Sequence, residues 1–119
     1  MSSLIERAGT TPRMSKIVRY AGIVYLCGQT AVGAAHSEIA EQTREVLARV
    51  DALLAEAGSS RSRILSALIH LKDVTQFSAM NEVWESWLPA NAAPARTTVQ
   101  AILASPDLLI EITITAAVN

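Results

Sequence analysis

Hydrophobic and polar residues alternate through the last part of the chain with the two-residue repeat of a β-strand. This alternation predicts a strand over residues 108–118. The apolar face of the strand comprises Leu108, Ile110, Ile112, Ile114 and Ala116. The other face carries Glu111, flanked by Leu109 and Thr113 on its own side. Because acids are depleted from strand interiors, Glu111 is a candidate functional or ion-paired carboxylate.

A different spacing, with apolar residues three and four positions apart, predicts a helix over residues 39–57. Ser37 is its predicted N-cap and Gly58 its stop. A second helical pattern covers residues 77–88 and ends at Pro89.

Further β-rich runs occupy residues 17–20 and 23–27, and the two residues between them indicate a hairpin. Residues 64–71 and 97–102 form two more predicted strands. Residues 1–14 are polar, and we expect them to be extended.

The predicted order is ββαβαββ, which favours a two-layer α+β domain over residues 1–119. Both helices are expected to pack on one face of a mixed sheet. The other face mixes polar and aliphatic side chains and also needs a cover. Because such faces are often covered by another copy of the chain, the pattern predicts a homo-oligomer.

Composition limits the range of functions. The chain has 119 residues, 50% of them hydrophobic and 18% charged, and a net charge of −1. The lack of a basic stripe argues against nucleic-acid binding, and therefore against ribonuclease activity. One cysteine, Cys27, and two separated histidines, His36 and His70, indicate neither a disulfide nor a metal site. With no leader-like or membrane-spanning run, we expect a cytoplasmic protein without a cofactor.

Arg96 follows a Pro-Ala turn at the start of a β-rich segment, and Glu111 follows it in the next strand. An arginine fork can hold a carboxylate through two parallel hydrogen bonds, and a nearby glutamate can deprotonate water. A surface arginine, or an ion pair between these two residues, is the structural alternative. The two interpretations are compatible with each other.

Two other polar positions are candidates for the same site. Asn81 lies among apolar positions of the second helix and needs a partner, either backbone or ligand. Cys27 closes the second strand before Gly28. Since neither histidine is placed beside Cys27 by the sequence, covalent catalysis by this thiol is disfavoured.

Several of these segments together resemble the RidA/YjgF family of reactive intermediate deaminases over nearly the whole chain. The most specific matches are residues 94–99 (Pro-Ala-Arg-Thr-Thr-Val) and 110–112 (Ile-Glu-Ile) at their mutual spacing. The others are residues 27–29, 41–47, 71–73 and 80–84.

The resemblance implies a chorismate-mutase-like fold, a homotrimer with clefts between subunits, and hydrolysis of enamines or imines such as 2-aminoacrylate to 2-keto acids and ammonia. It implies that Arg96 clamps the substrate carboxylate and that Glu111 positions the attacking water. It also implies that the cleft is lined by Asn81, Cys27, Gly28, Thr98 and Met14.

The chain departs from the family at three of these positions. Met14 stands where the deaminases usually have tyrosine, Cys27 where serine is common, and Thr98 where cysteine is common. Because the phenol is lost while the arginine and the acid remain, a non-enzymatic trimer that binds small carboxylates is the alternative function.

Overall fold

The computed structural model of the protein describes residues 4–119 and shows one six-stranded sheet with two α-helices. The elements in chain order are β1 (Glu6–Ala8), β2 (Ile17–Tyr20), β3 (Ile23–Leu26), α1 (Ile39–Glu56), β4 (Ile64–Leu71), α2 (Phe77–Trp87), β5 (Ala95–Gln100) and β6 (Ile110–Ala117). Short 3₁₀ turns, Arg61–Arg63 and Val74–Gln76, precede β4 and α2.

The strand order across the sheet is β1-β2-β3-β6-β4-β5. Only β4 and β5 run parallel, and α2 connects them; the other neighbours are antiparallel. The predicted α+β fold with a mixed sheet is therefore confirmed. The structure adds β1, which lies within the N-terminal segment expected only to be extended and pairs with β2. Residues 1–3 of that segment lie outside the described residues.

The core lies between the helices and one face of the sheet. From β6, Ile110, Ile112, Ile114 and Ala116 are buried in it, as the alternation predicted. The opposite face, here called the open face, includes Tyr25, Leu68, His70, Thr97, Val99, Glu111, Thr113 and Thr115. Three of these, Tyr25, Leu68 and Val99, are exposed large hydrophobic residues, so this face keeps the mixed character expected from the sequence.

The start of α1 differs from the prediction. Its N-cap is Glu38, not Ser37, and Glu38 forms no side-chain capping hydrogen bond. The buried amide of Gln42 ties down this end instead, by donating to the carbonyl oxygens of His36 (2.9 Å) and Asp107 (2.8 Å). Its Oε1 also accepts from the backbone N–H of Leu109, at 2.8 Å. Gln42 therefore joins the helix start to the chain that enters β6, the strand that carries Glu111.

Local turn chemistry explains two other boundaries. Gly58 adopts a φ of +78° just after α1, as its role as a stop requires. The hairpin turn has positive φ at both Ala21 and Gly22, which is the geometry that matches strand twist. By contrast, β5 begins two residues before the predicted position, because its pairing with β4 starts at Ala95 beside Ser66. The predicted last residue, Ile102, lies beyond the strand and is 98% exposed.

Candidate functional site

Arg96 lies on edge strand β5 and points to the side of the sheet that carries the helices. Its parallel neighbour on β4 is Ala67, which is buried in the core. The guanidinium Nη1 donates to Asn81 Oδ1 on α2 at 2.7 Å. Its Cζ lies 5.4 Å from the ring centroid of Phe77 and 5.7 Å from that of Trp84. Two successive turns of α2 thus supply, from one face of the helix, an amide and two aromatic rings that hold one guanidinium.

Within the described residues, the charge of Arg96 has no carboxylate partner. Across residues 4–119, no acidic oxygen lies within the 4.0 Å that defines a salt bridge to this side chain. Asn81 is neutral, and the aromatic faces attract a cation without neutralising it. The half-buried guanidinium, with only one of its donors used by a side chain, remains able to bind an anion through a bidentate contact.

Thr98 follows Arg96 on β5 by two residues and therefore points to the same side of the sheet. Its Oγ1 is buried and has no hydrogen-bond partner in the part of the chain that the structure describes. Buried hydroxyl groups are normally paired, so this oxygen is available to water or to a ligand. The structure thus places Arg96, Asn81 and Thr98 in one region.

The turn that leads into α2 is fixed by Asp73. Its Oδ1 accepts from the hydroxyl of Thr75 at 2.6 Å and from the backbone N–H of Thr75 at 2.9 Å. These hydrogen bonds lower the pKa of the Asp73 carboxyl, and the bond from the Thr75 hydroxyl has the larger effect. The ionised carboxylate therefore helps to fix where α2 begins, and so where Asn81 lies on it.

Glu111 lies on the open face, close to the backbone of Gly28. A β-carbon added to Gly28 would lie 2.5 Å from Glu111 Oε2 and 3.1 Å from Thr113 Oγ1. The approach is held by a backbone bridge in which Gln29 and Ile112 exchange both hydrogen bonds, at 2.9 and 3.0 Å. A side chain at position 28 would therefore displace the Glu111 carboxylate from its present position.

Cys27 and Met14, two more of the predicted cleft residues, occupy different settings. Cys27 is a free, half-buried thiol whose Sγ accepts from Gln29 Nε2 at 3.2 Å. Met14 lies on the loop between β1 and β2, with 42% of its surface exposed. The hydroxyl of Thr11 accepts from its backbone N–H at 3.2 Å.

One protomer does not bring Arg96 and Glu111 together. Strand β4 lies between their strands, and the two side chains leave opposite faces of the sheet. The ion pair considered from the sequence is therefore absent within the described residues. A site that uses both residues requires two copies of the chain, and it stays a prediction.

The sequence did not place three residues, Phe77, Trp84 and His70, beside Arg96 or Glu111. The helical spacing of apolar residues includes Phe77 and Trp84, and Trp84 is expected to pack against the sheet, but both rings flank Arg96. His70 was set aside as an ordinary strand residue, yet it lies directly opposite Glu111 in the β4–β6 register. The alternation of β4, with Ile69 and Leu71 buried, is the signal that places His70 on the open face.

Two searches of residues 4–119 bear on other kinds of site. No group of three or more histidine, cysteine or acidic side chains is arranged to hold a metal ion. No helix in this range has the length and the apolar composition needed to cross a bilayer.

A mixed six-stranded sheet with both helices on one face, and a parallel β4–β5 pair that carries an arginine, defines a class of small α+β proteins. The family model described as Endoribonuclease L-PSP matches residues 5–118. The chain therefore belongs to this family, whose members are also called RutC or YjgF proteins.

Three relatives show how close the similarity is. The chain is 40% identical over 114 residues to the RutC family protein YoaB of Escherichia coli strain K12, covering 96% of this chain and 98% of YoaB. It is 37% identical over 116 residues to a RutC family protein of Haemophilus ducreyi, covering 98% of both. The crystal structure of NMB1025, a YjgF family member from Neisseria meningitidis, superposes with a TM-score of 0.93 at 41% identity, covering 98% and 97% of the two chains.

Proposed function

We propose that this protein hydrolyses imines, and the enamines that isomerise to them, derived from small amino acids, to 2-keto acids and ammonia. The observation that carries the proposal is Arg96, whose guanidinium is held by Asn81 and two aromatic rings and is paired with no acid in residues 4–119. An unpaired, half-buried arginine suits a substrate with one carboxylate. The resemblance to reactive intermediate deaminases supports the same substrate class.

The chemistry needs only water and the residues of the chain. Arg96 binds the substrate carboxylate and orients the adjacent C=N bond. Glu111 takes a proton from water as the water oxygen bonds to the imine carbon, and the C=N electron pair moves to nitrogen, which gains a proton. The nitrogen of the resulting carbinolamine then gains a proton and its hydroxyl loses one, the C–N bond breaks as C=O forms, and ammonia leaves. An enamine enters this sequence after its β-carbon gains a proton and its nitrogen loses one.

The joint site would form between copies, with Arg96 from one protomer and Glu111 from the next. The exposed apolar residues of the open face, Tyr25, Leu68 and Val99, support self-association through this face. A homotrimer, as the family resemblance implies, gives three such junctions. In this arrangement the neighbour covers the open face that the helices of the protomer leave free.

The direct test is release of ammonia and 2-keto acid when the protein is added to a system that generates 2-aminoacrylate. Release should exceed the spontaneous rate for the wild type and should return to it in Arg96→Ala. Arg49→Ala is the matched control, because Arg49 is already paired with Glu45 at 2.9 Å on α1. Equal rates for the wild type and Arg96→Ala would reject the carboxylate clamp.

A mixing experiment tests whether the site is shared between copies. Arg96→Ala and Glu111→Gln are each expected to be inactive alone. In trimers assembled from equal amounts of the two variants, a junction is wild type when a Glu111→Gln chain supplies its Arg96 and an Arg96→Ala chain supplies its Glu111. About one quarter of the junctions meet this condition, so about one quarter of full activity should return. No recovery in trimers shown to be mixed would mean that the two residues act within one chain or not at all.

Binding without turnover is the second candidate, and Met14 is the observation that favours it. At the position where the deaminases usually carry a phenol, this chain presents a partly exposed thioether that donates no hydrogen bond. A binder would be thermally stabilised by a 2-keto acid such as pyruvate, would lose this effect in Arg96→Ala, and would release no ammonia. Intact RNA after incubation with nuclease-free protein is the expected result for either candidate.

A further inference from the structure

His70 lies on the open face near the end of β4, directly across from Glu111. The two residues face each other in the antiparallel register of β4 and β6. Side chains paired in this way have β-carbons about 5 Å apart, so their polar ends share one volume above the sheet. On the other side of His70, the parallel register places Val99 of β5 beside it. Glu111 is therefore the polar group that faces the imidazole across the strand pair.

Within residues 4–119, neither polar group has a side-chain hydrogen-bond or ion-pair partner. His70 Nδ1 is buried and has no hydrogen bond in the part of the protein from residue 4 onward. Glu111 forms no side-chain hydrogen bond there, and no nitrogen of His70 lies within 4.0 Å of its carboxylate. A water molecule can bridge two polar groups that lie too far apart for direct contact. Lys72, the residue that follows β4, donates from its Nζ to the carbonyl oxygen of Pro106.

We propose that His70 is a positioning residue of the hydrolytic site, and that it holds, together with Glu111, the water that attacks the imine. The inference rests on the proposed function. A neutral imidazole nitrogen accepts one hydrogen of this water, or its N–H donates to the water oxygen, while Glu111 accepts the proton that is transferred. With two partners, the water has a fixed direction of attack; with Glu111 alone, it can rotate about a single hydrogen bond.

The test compares steady-state kinetics of the wild type, His70→Phe, His70→Asn and the control His36→Phe, each first shown to melt and to sediment like the wild type. His70→Phe keeps a flat ring but removes both nitrogens, and should lower kcat about tenfold to a hundredfold with KM little changed. His70→Asn returns a polar atom near the position of Nδ1 and should recover part of kcat. His36 lies beside Glu41 and Glu45 before α1, so His36→Phe should match the wild type.

The outcomes separate this inference from the proposed function. Ammonia release by the wild type, with an unchanged kcat in His70→Phe, would overturn the role of His70 alone. The role of His70 would also be overturned if kcat falls in His70→Phe and is no higher in His70→Asn, because a change of shape would then explain the loss. No release of ammonia by the wild type would reject the deaminase, and the role of His70 with it. If His70→Phe fails to fold, the kcat of His70→Asn against His70→Leu decides between the same alternatives.

Discussion

The guanidinium of Arg96 and the side-chain amide of Asn81 form a 2.7 Å hydrogen bond between the edge strand β5 and helix α2. The acceptor is neutral, so the bond directs the arginine without cancelling its charge. A carboxylate in place of the amide would hold the arginine as firmly and would occupy it. The choice of amide at position 81 therefore keeps the arginine available to an anionic ligand.

The first prediction concerns this choice. Asn81→Asp should weaken binding of a 2-keto acid more than Asn81→Ala does, because the new carboxylate competes with the ligand for Arg96. Since a charge-assisted hydrogen bond is worth about 1.5–3 kcal/mol, we expect the dissociation constant to rise roughly tenfold to a hundredfold in Asn81→Asp. Titration calorimetry with pyruvate measures both variants. Equal affinity in the two variants would show that Arg96 is not the anion site.

The second prediction concerns Gly28. Gly28→Ala places a methyl group 2.5 Å from the present position of Glu111 Oε2. The carboxylate is the flexible end of a side chain, so it should move aside while the fold survives, and kcat should fall about tenfold or more. Ala35→Val is the control, because it adds bulk at an exposed loop position. Thermal melting and kinetics are compared, and an unchanged kcat in Gly28→Ala would remove Glu111 from the reaction.

The third prediction concerns the open face. Leu68 is 38% exposed there, and Leu68→Lys should disrupt the proposed trimer because it would bury a charge between copies. Ile102→Lys is the control, since Ile102 is more exposed and lies beyond β5. Sedimentation equilibrium should give a lower mass for Leu68→Lys only. An oligomer of unchanged mass in that variant would mean that copies associate through some other surface.

The fourth prediction concerns pH. The pKa of Asp73 lies below its ordinary value of 3.8 because Thr75 donates hydrogen bonds to the carboxylate. A folded-state pKa below the unfolded one gives stability that is present above about pH 4 and is lost as pH falls through the folded value. Asp73→Asn should therefore melt at a lower temperature than the wild type near pH 7, and the difference should shrink as the pH falls below 3.8 and through the lowered folded-state pKa.

Glu82→Gln on the exposed side of α2 serves as the control for this pH series. It should track the wild type, because no capping hydrogen bond depends on it. A melting difference for Asp73→Asn that is constant down to acidic pH would contradict the role given to the ionised carboxylate.

The sequence by itself determined the local periods and the turns. Apolar residues at helical spacing located α1 and α2, and the strict alternation of β6 placed Glu111 opposite the core-facing isoleucines. Gly58 marked the end of α1 because its backbone adopts a left-handed conformation. These features depend on residues that are neighbours in the chain, so short-range patterns are sufficient to predict them.

Tertiary structure alone decided how the chemical groups are distributed. The insertion of β4 between β5 and β6, and the register of each pair, put Arg96 beside α2 and Glu111 beside His70 on the open face. Strand pairing joins segments that are distant in sequence, and a shift of one residue would exchange the two faces. No period along the chain carries that information, because it is set by which strands pair and by the helices that cover one side of them.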